Sequence, residues 1–232
     1  VKDAEVVEAF RPIAEKIDAA WETIDGEEVT YAKPSGGEAI DRTTLAAWLD
    51  AAQPVGWFRK LLAVAYTTEY GFVIGEQSGW DLLMMIDTNP DPFRIFGDSD
   101  ERFHVRGGND LVPQAVARPL GDRIETGCKP EALAQNADGS YKLSLRQEQA
   151  SRDVVAERVV LATPFTTLRE VKLGLELPPV KRNAIDELGY GTNAKVMGGF
   201  SEKLWRTAGG SNGSVLSDLP FQLTWESTRL QP

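Results

Sequence analysis

The chain has 232 residues, of which 42% are hydrophobic and 26% charged, an ordinary globular composition with length for one large domain or two small ones. Its 35 acidic and 25 basic side chains leave a formal charge of -10, which argues against nucleic acid or an anionic membrane surface as the main partner. A single cysteine, Cys128, and a single histidine, His104, exclude an intrachain disulfide and point to no metal site.

No stretch reaches the roughly 18 apolar residues of a membrane span, so no membrane partner is expected. The chain opens Val1-Lys2-Asp3-Ala4-Glu5 with no initiator methionine, basic leader or apolar signal core. It begins inside a helix-like pattern, which predicts a piece of a longer chain with a cytoplasmic location.

Val7, Phe10, Ile13, Ala14 and Ile17 fall at helical spacing and predict an amphipathic helix over residues 4–24, closed by Asp25-Gly26. A second helix is expected from Asp41 as N-cap, with Leu45, Trp48 and Leu49 on one face, stopped by Pro54. A third runs from Gly56 to Tyr70 and closes at Gly71, and a fourth covers residues 80–86. From Arg102 the pattern changes. Phe103-His104-Val105 is a short strand candidate, and Arg106-Gly107-Gly108-Asn109-Asp110 is a turn leading into a helix capped by Asn109 or Asp110. Residues 141–145 alternate like a strand after the Asp138-Gly139 turn. Val159-Val160-Leu161-Ala162 reads as a strand buried on both faces, and a helix follows Pro178-Pro179 to Leu188. Residues 194–200 are strand-like, and two short strands are expected between Val215 and Trp225. The mixture predicts an α/β or α+β chain, a mixed sheet flanked by helices.

Gly189-Tyr190-Gly191-Thr192-Asn193-Ala194 has the spacing of a dinucleotide fingerprint, but a helix precedes it and a strand follows, the reverse of what phosphate binding needs. Gly189 is read instead as a helix C-cap. The Gly107-Gly108 turn permits positive φ and close backbone approach, and with Arg106 it suits either an anionic ligand or a plain βα connection. His104 and Cys128 lack a nucleophile or base beside them. Lys195 is an ammonium in an apolar, small-residue stretch, so it is either exposed on an edge or kept for chemistry. On a strand it shares a face with Met197 and Gly199, which leaves room for a flat ligand. Phe221 and Trp225 are pocket candidates, with aromatic core packing as the plainer alternative.

Taken together these pieces resemble the flavin-containing monoamine oxidase family. The similarity lies in Tyr70-Gly71 with Glu76-Gln77-Ser78, in Arg106 to Pro113, in Val159 to Pro164, in Leu177-Pro178-Pro179, and in Gly191 to Val196 with Phe200 and Trp205. The resemblance implies FAD as cofactor and oxidation of the carbon–nitrogen bond of a small-molecule amine to an imine, with oxygen reduced to hydrogen peroxide. It implies that Lys195 is the catalytic residue, joined through a water to flavin N5. It makes Arg106, Gly107, Gly108 and Pro164 cofactor-binding residues, and Phe221 and Trp225 substrate-binding residues. Residues 1–100 would form the helical part of a substrate domain, 101–169 part of an FAD-binding domain, and 170–232 substrate-domain sheet and helix. The family's Gly-rich FAD fingerprint is not found in these 232 residues, so the segment by itself is expected to bind FAD poorly and not to turn over. Two alternatives stand beside this: a related flavoprotein such as an amino-acid oxidase or desaturase, and a non-catalytic binding domain that kept the fold. An amino-acid oxidase would need a cationic clamp on the substrate carboxylate, for which Arg59, Arg94 and Arg206 are present.

Overall fold

In a computed structural model, which describes residues 1–25, 29–98 and 103–228, the first amphipathic pattern forms helix α1 (Asp3–Trp21). Its buried stripe is Phe10, Ile13, Ala14 and Ile17, the i, i+3, i+4, i+7 face that the spacing predicts. Of the Asp25-Gly26 turn expected behind it, Gly26 lies outside the described residues, as does Arg102, where the character of the sequence changes.

The second helix divides. Glu38–Asp41 forms a single turn, α2, and the longer helix α3 runs from Leu45 to Ala52. Its cap is Thr44, not Asp41, because the Thr44 hydroxyl accepts the Ala47 N–H at 3.2 Å. Helix α4 (Gly56–Tyr70) has the predicted bounds. It follows Pro54 and ends on Gly71, whose φ of 75° provides the left-handed cap while its N–H reaches Thr67 O at 2.9 Å. Helix α5 (Gly79–Met85) starts at Ser78, which accepts the Trp80 N–H. The N-termini of α3 and α5 lie side by side, so their spare donors find loop carbonyls: Leu45 N–H goes to Gln77 O, Ala46 N–H to Ile74 O and Gly79 N–H to Thr43 O.

These helices close one core. Phe10, Ile13 and Ile17 of α1 meet Leu45 and Leu49 of α3, Phe58, Leu62 and Tyr66 of α4, and Leu82 of α5, all fully buried. Phe93 wedges between Phe10 (4.9 Å) and Phe58 (5.7 Å). Leu216, from the two-residue strand β5 (Val215–Leu216), packs on the same core. The chain accordingly groups into two compact units, Val1–Arg102 with Gly191–Pro232 and, separately, Phe103–Tyr190.

The second unit is a four-stranded mixed sheet in the order β3-β2-β1-β4, formed by β1 (Cys128–Gln135), β2 (Tyr141–Gln147), β3 (Ala150–Ala156) and β4 (Lys172–Gly174). The first three strands are an antiparallel meander, and β4 adds parallel to β1. Helices α6 (Leu111–Ala117), α7 (Phe165–Leu168) and α8 (Pro179–Glu187) accompany the sheet. A small core of Leu168, Val171 and Ile185 forms under partly buried Leu161 and Leu173. In the first unit, α9 (Leu204–Thr207) precedes β5, and β6 (Leu223–Thr224) pairs antiparallel with β5, as expected for that region.

Four local expectations change. Phe103-His104-Val105 is not a strand, and Phe103 is 84% exposed. Residues 159–162 are not a strand either. They pair with nothing among the described residues, so only Leu161 turns into the small core while Val160 stays 89% exposed; an apolar run becomes a doubly buried strand only between neighbours. Residues 194–200 are irregular and open for the same reason, with Val196 98% exposed. Gly189 is not a left-handed cap. Helix α8 ends at Leu188 with an extended backbone, and the Arg169 guanidinium takes the carbonyls of Ile185 and Leu188, both at 2.6 Å, which answers the terminal acceptors without a glycine turn. Asp110 does occupy the N-cap position of α6, although its side chain makes no cap bond.

Leu62→Ala should destabilise this chain by about 2–5 kcal/mol, since it empties a fully buried site, whereas Val160→Ala should stay within about 0.5 kcal/mol. Chemical denaturation of the two variants measures the contrast.

Candidate functional site

The candidate site in the first unit begins where the chain returns to α4. Gly191 lies against the backbone of Tyr70 and Gly71, and a Cβ on Gly71 would stand 2.6 Å from the Gly191 Cα. Two bare Cα atoms allow the contact; any side chain there would force the segments apart. Thr192 N–H then donates to Gly71 O at 3.1 Å, and Asn193 Nδ2 donates to Thr68 O at 2.5 Å. Gly191-Thr192-Asn193 thus serves as a dock that satisfies carbonyls at the end of a helix. The helix end it meets is well anchored. Burial, aided by Asp81 and Glu69, pushes the Tyr70 phenol up to about 12, so it remains a donor, and it bonds Asp81 O at 3.0 Å. Tyr66 is raised further, chiefly by burial, and donates to Ile95 O.

Two residues beyond the dock stands Lys195. It is exposed, and its Nζ lies 5.3 Å from the centroid of the Trp225 ring, within cation–π range. The structure therefore brings together two candidates that are 30 positions apart in sequence. Trp225 and Phe221 are each about half exposed, at 45% and 50%. The strand face expected for Lys195, shared with Met197 and Gly199, does not form, and Met197 is 80% exposed. Two shallow surface depressions, one bounded by Glu5, Ala9 and Trp57 and the other by Lys16, Trp48 and Ala52, include none of the candidate residues.

Next to Trp225 is a residue the sequence reading passed over. Glu226 is a buried acid, with 1% of its side chain exposed. Lys203 Nζ reaches Oε1 at 2.9 Å, while Arg206 Nε at 2.6 Å and Trp205 Nε1 at 2.9 Å donate to Oε2. These bonds, that from Lys203 first and then that from Trp205, hold the carboxyl down at about 2. Its placement in the apolar run Leu223-Thr224-Trp225-Glu226 was the available signal, because an acid there requires partners.

In the second unit, Arg106, Gly107 and Gly108 form the predicted turn, with φ of 91° and 111° at the two glycines. Gly108 N–H closes it onto Val105 O at 3.0 Å. Arg106 is exposed and makes no ion pair among the described residues. A guanidinium without an ion pair among the described residues, beside two glycines, has the chemistry to meet an anionic group, although the Asp110 carboxylate stands beside Gly108. Pro164 is exposed at the N-terminus of α7, and its carbonyl accepts from Thr167 and Leu168. No group of three or more His, Cys, Asp or Glu side chains suited to a metal ion occurs among the described residues, and none of their helices is long and apolar enough to cross a membrane.

Residues 57–230 match the family model for flavin containing amine oxidoreductases. An L-amino-acid oxidase from Vipera ammodytes ammodytes is 23% identical over 156 residues, 67% of this chain and 32% of that protein. One from Demansia vestigiata is 23% identical over 153 residues, 66% and 29% of the two chains. This chain therefore spans about a third of the length of these relatives. Among solved structures, putrescine oxidase bound to putrescine superposes with a TM-score of 0.61 at 16% identity, over 82% of this chain and 41% of that one. Cyclohexylamine oxidase from Brevibacterium oxydans gives 0.54 at 18% identity, over 76% and 38%.

Because its folded pKa is lowered, Glu226 contributes stability that is complete above its ordinary value of 4.5 and is lost as the pH falls toward about 2. The stability gap between the wild type and Glu226→Gln should be constant above about pH 5 and narrow below it; denaturation midpoints across that range measure it. Gly191→Ala should release the dock, seen as faster hydrogen exchange at the Thr192 amide.

Proposed function

Since this chain belongs to the family of flavin-containing amine oxidoreductases, with FAD the cofactor that membership implies for the full-length protein, we propose that it is the part of an FAD-dependent amine oxidase that presents Lys195 to the flavin. The observation that carries this reading is the convergence of Lys195 on Trp225. When bound, FAD supplies the two-electron acceptor, which dioxygen restores with formation of hydrogen peroxide. The amine gives up two electrons and two protons across its carbon–nitrogen bond, leaving an imine that water hydrolyses.

The chain's own residues have separate tasks. Lys195 is an exposed hydrogen-bond donor on a loop held at its upstream end by Gly191, Thr192 and Asn193. Trp225 and Phe221 offer half-exposed aromatic faces to the hydrocarbon part of an amine. On the second unit, Arg106 with Gly107 and Gly108 is proposed to meet the anionic part of FAD, with Pro164 beside a further part of the cofactor. Residues 1–100 and 170–232 are proposed as substrate-domain pieces and 101–169 as part of the FAD domain.

The arginines favour a substrate without a carboxylate. Arg59 is paired with Asp50 at 2.7 Å, Arg94 with Asp98 at 2.9 Å and Arg206 with Glu226 at 2.6 Å. Each of the three guanidiniums considered for clamping an amino acid is already committed to an acid of this chain. The L-amino-acid oxidase relatives support the second reading, oxidation of amino acids.

In the full-length protein, peroxide release should be faster with primary amines than with L-amino acids; the opposite order selects the second reading. Lys195→Met should slow flavin reduction or reoxidation by about tenfold or more with FAD still bound, and unchanged rates in both half-reactions would remove Lys195 from the site. Residues 1–232 purified alone should lack a stoichiometric flavin absorbance.

A further inference from the structure

We infer that Glu226 is a positioning residue that sets the geometry of the Lys195–Trp225 pair; the inference rests on the reading of Lys195 given above. Glu226 and Gln77 are the buried polar side chains among the described residues. Gln77 Nε2 ties down the carbonyls of Tyr66 and Phe72, a task inside the helical core. Glu226 instead is linked to both halves of the candidate site, to one by the chain and to the other through Trp205. Through the chain it adjoins Trp225, the ring beneath Lys195. Through space its Oε2 holds the Trp205 indole at 2.9 Å, and Trp205 packs edge-on against Phe200 with ring centroids 5.4 Å apart. Phe200 is five residues downstream of Lys195, on the same irregular segment.

The charge balance supports this role over a merely stabilising one. Two cations, Lys203 and Arg206, face one carboxylate, with the Thr228 hydroxyl a further, longer contact at 3.4 Å. Only the acid of this cluster is buried, its two cations being about half exposed; the best-attested use of a buried charge held by partners is to select one geometry. Here the selected geometry is that of residues 203–206, at α9, relative to Trp225 just after β6. The upstream end of the Lys195 segment is fixed by the dock on α4, and its downstream end has no regular structure until α9. The Glu226 cluster provides the missing second anchor.

The test is a double-mutant cycle in the FAD-loaded full-length protein, read in whichever half-reaction Lys195→Met slows, anaerobic flavin reduction by substrate or reoxidation by oxygen. Glu226→Gln should slow that half-reaction about tenfold while FAD content stays near that of the wild type, at a temperature well below the variant's lowered thermal midpoint. In a Lys195→Met background the same change should alter the remaining rate by less than about twofold, because both variants act on one group. Equal factors in the two backgrounds, or no effect of Glu226→Gln, would overturn the inference. If Lys195→Met alone changes nothing, the reading of the site fails first; if it slows the reaction and Glu226→Gln does not, only the positioning role fails. Should Glu226→Gln not retain FAD, Arg206→Lys takes its place in the cycle, and loss of fold in both variants assigns the cluster to stability and ends the proposal.

Discussion

The first unit depends on one close approach of backbone to backbone, Gly191 against Tyr70 and Gly71. It is where residues 191–232 rejoin the helices of residues 1–98, over an interval of about 120 positions. Closing so long a loop carries an entropic cost that grows only slowly with length, and the contacts beyond the junction offset it. Thr192 and Asn193 add hydrogen bonds, and Leu216 adds burial on the helical core. A methyl group at either glycine would separate the two backbones. Lys195, Trp225 and Glu226 all lie downstream of this junction, so their arrangement inherits its register from it.

The two units rest on different physics. The helical unit buries a continuous set of large side chains, with a three-ring cluster of Phe10, Phe58 and Phe93 inside it. The sheet unit has a small core, and much of its cohesion comes from ladders and from polar contacts at its ends. Arg169 bonded to the end of α8, Arg182 reaching the carbonyls of Leu173 and Leu175, and Lys129 paired with Glu170 belong to this group. Exposed pairs such as the last contribute little. The arginine–carbonyl bonds matter more, because they satisfy acceptors that would otherwise end without partners.

What was legible in the sequence was whatever local chemistry decides. Helix α4 has its predicted bounds because Pro54 and Gly71 punctuate it, and β2 follows the Asp138-Gly139 turn as its alternation predicts, whereas its partners β1 and β3 were not read from the sequence. Thr44 rather than Asp41 caps α3 because the partnership with the α5 end is non-local: Thr44 bridges to Ser78. Residues 159–162 and 194–200 have the composition of strands, but composition does not supply a neighbouring strand. Likewise a rule for glycine caps could not foresee that Arg169 would do the work at Leu188. In the candidate site, the individual residue types were readable, while the approach of Lys195 to Trp225 and the three donors around Glu226 depend on pairings across 20 to 30 positions.

The open apolar ribbons have a consequence for how the chain behaves as a material. Val160, Val196, Met197 and Phe200 present oily surface to solvent, of the kind that joins one molecule to another. At neutral pH the surplus of ten negative charges opposes contact between copies. Near the isoelectric point of about 4.8, or in salt that shortens the reach of that field, this opposition fades, and stronger acid restores it with the opposite sign.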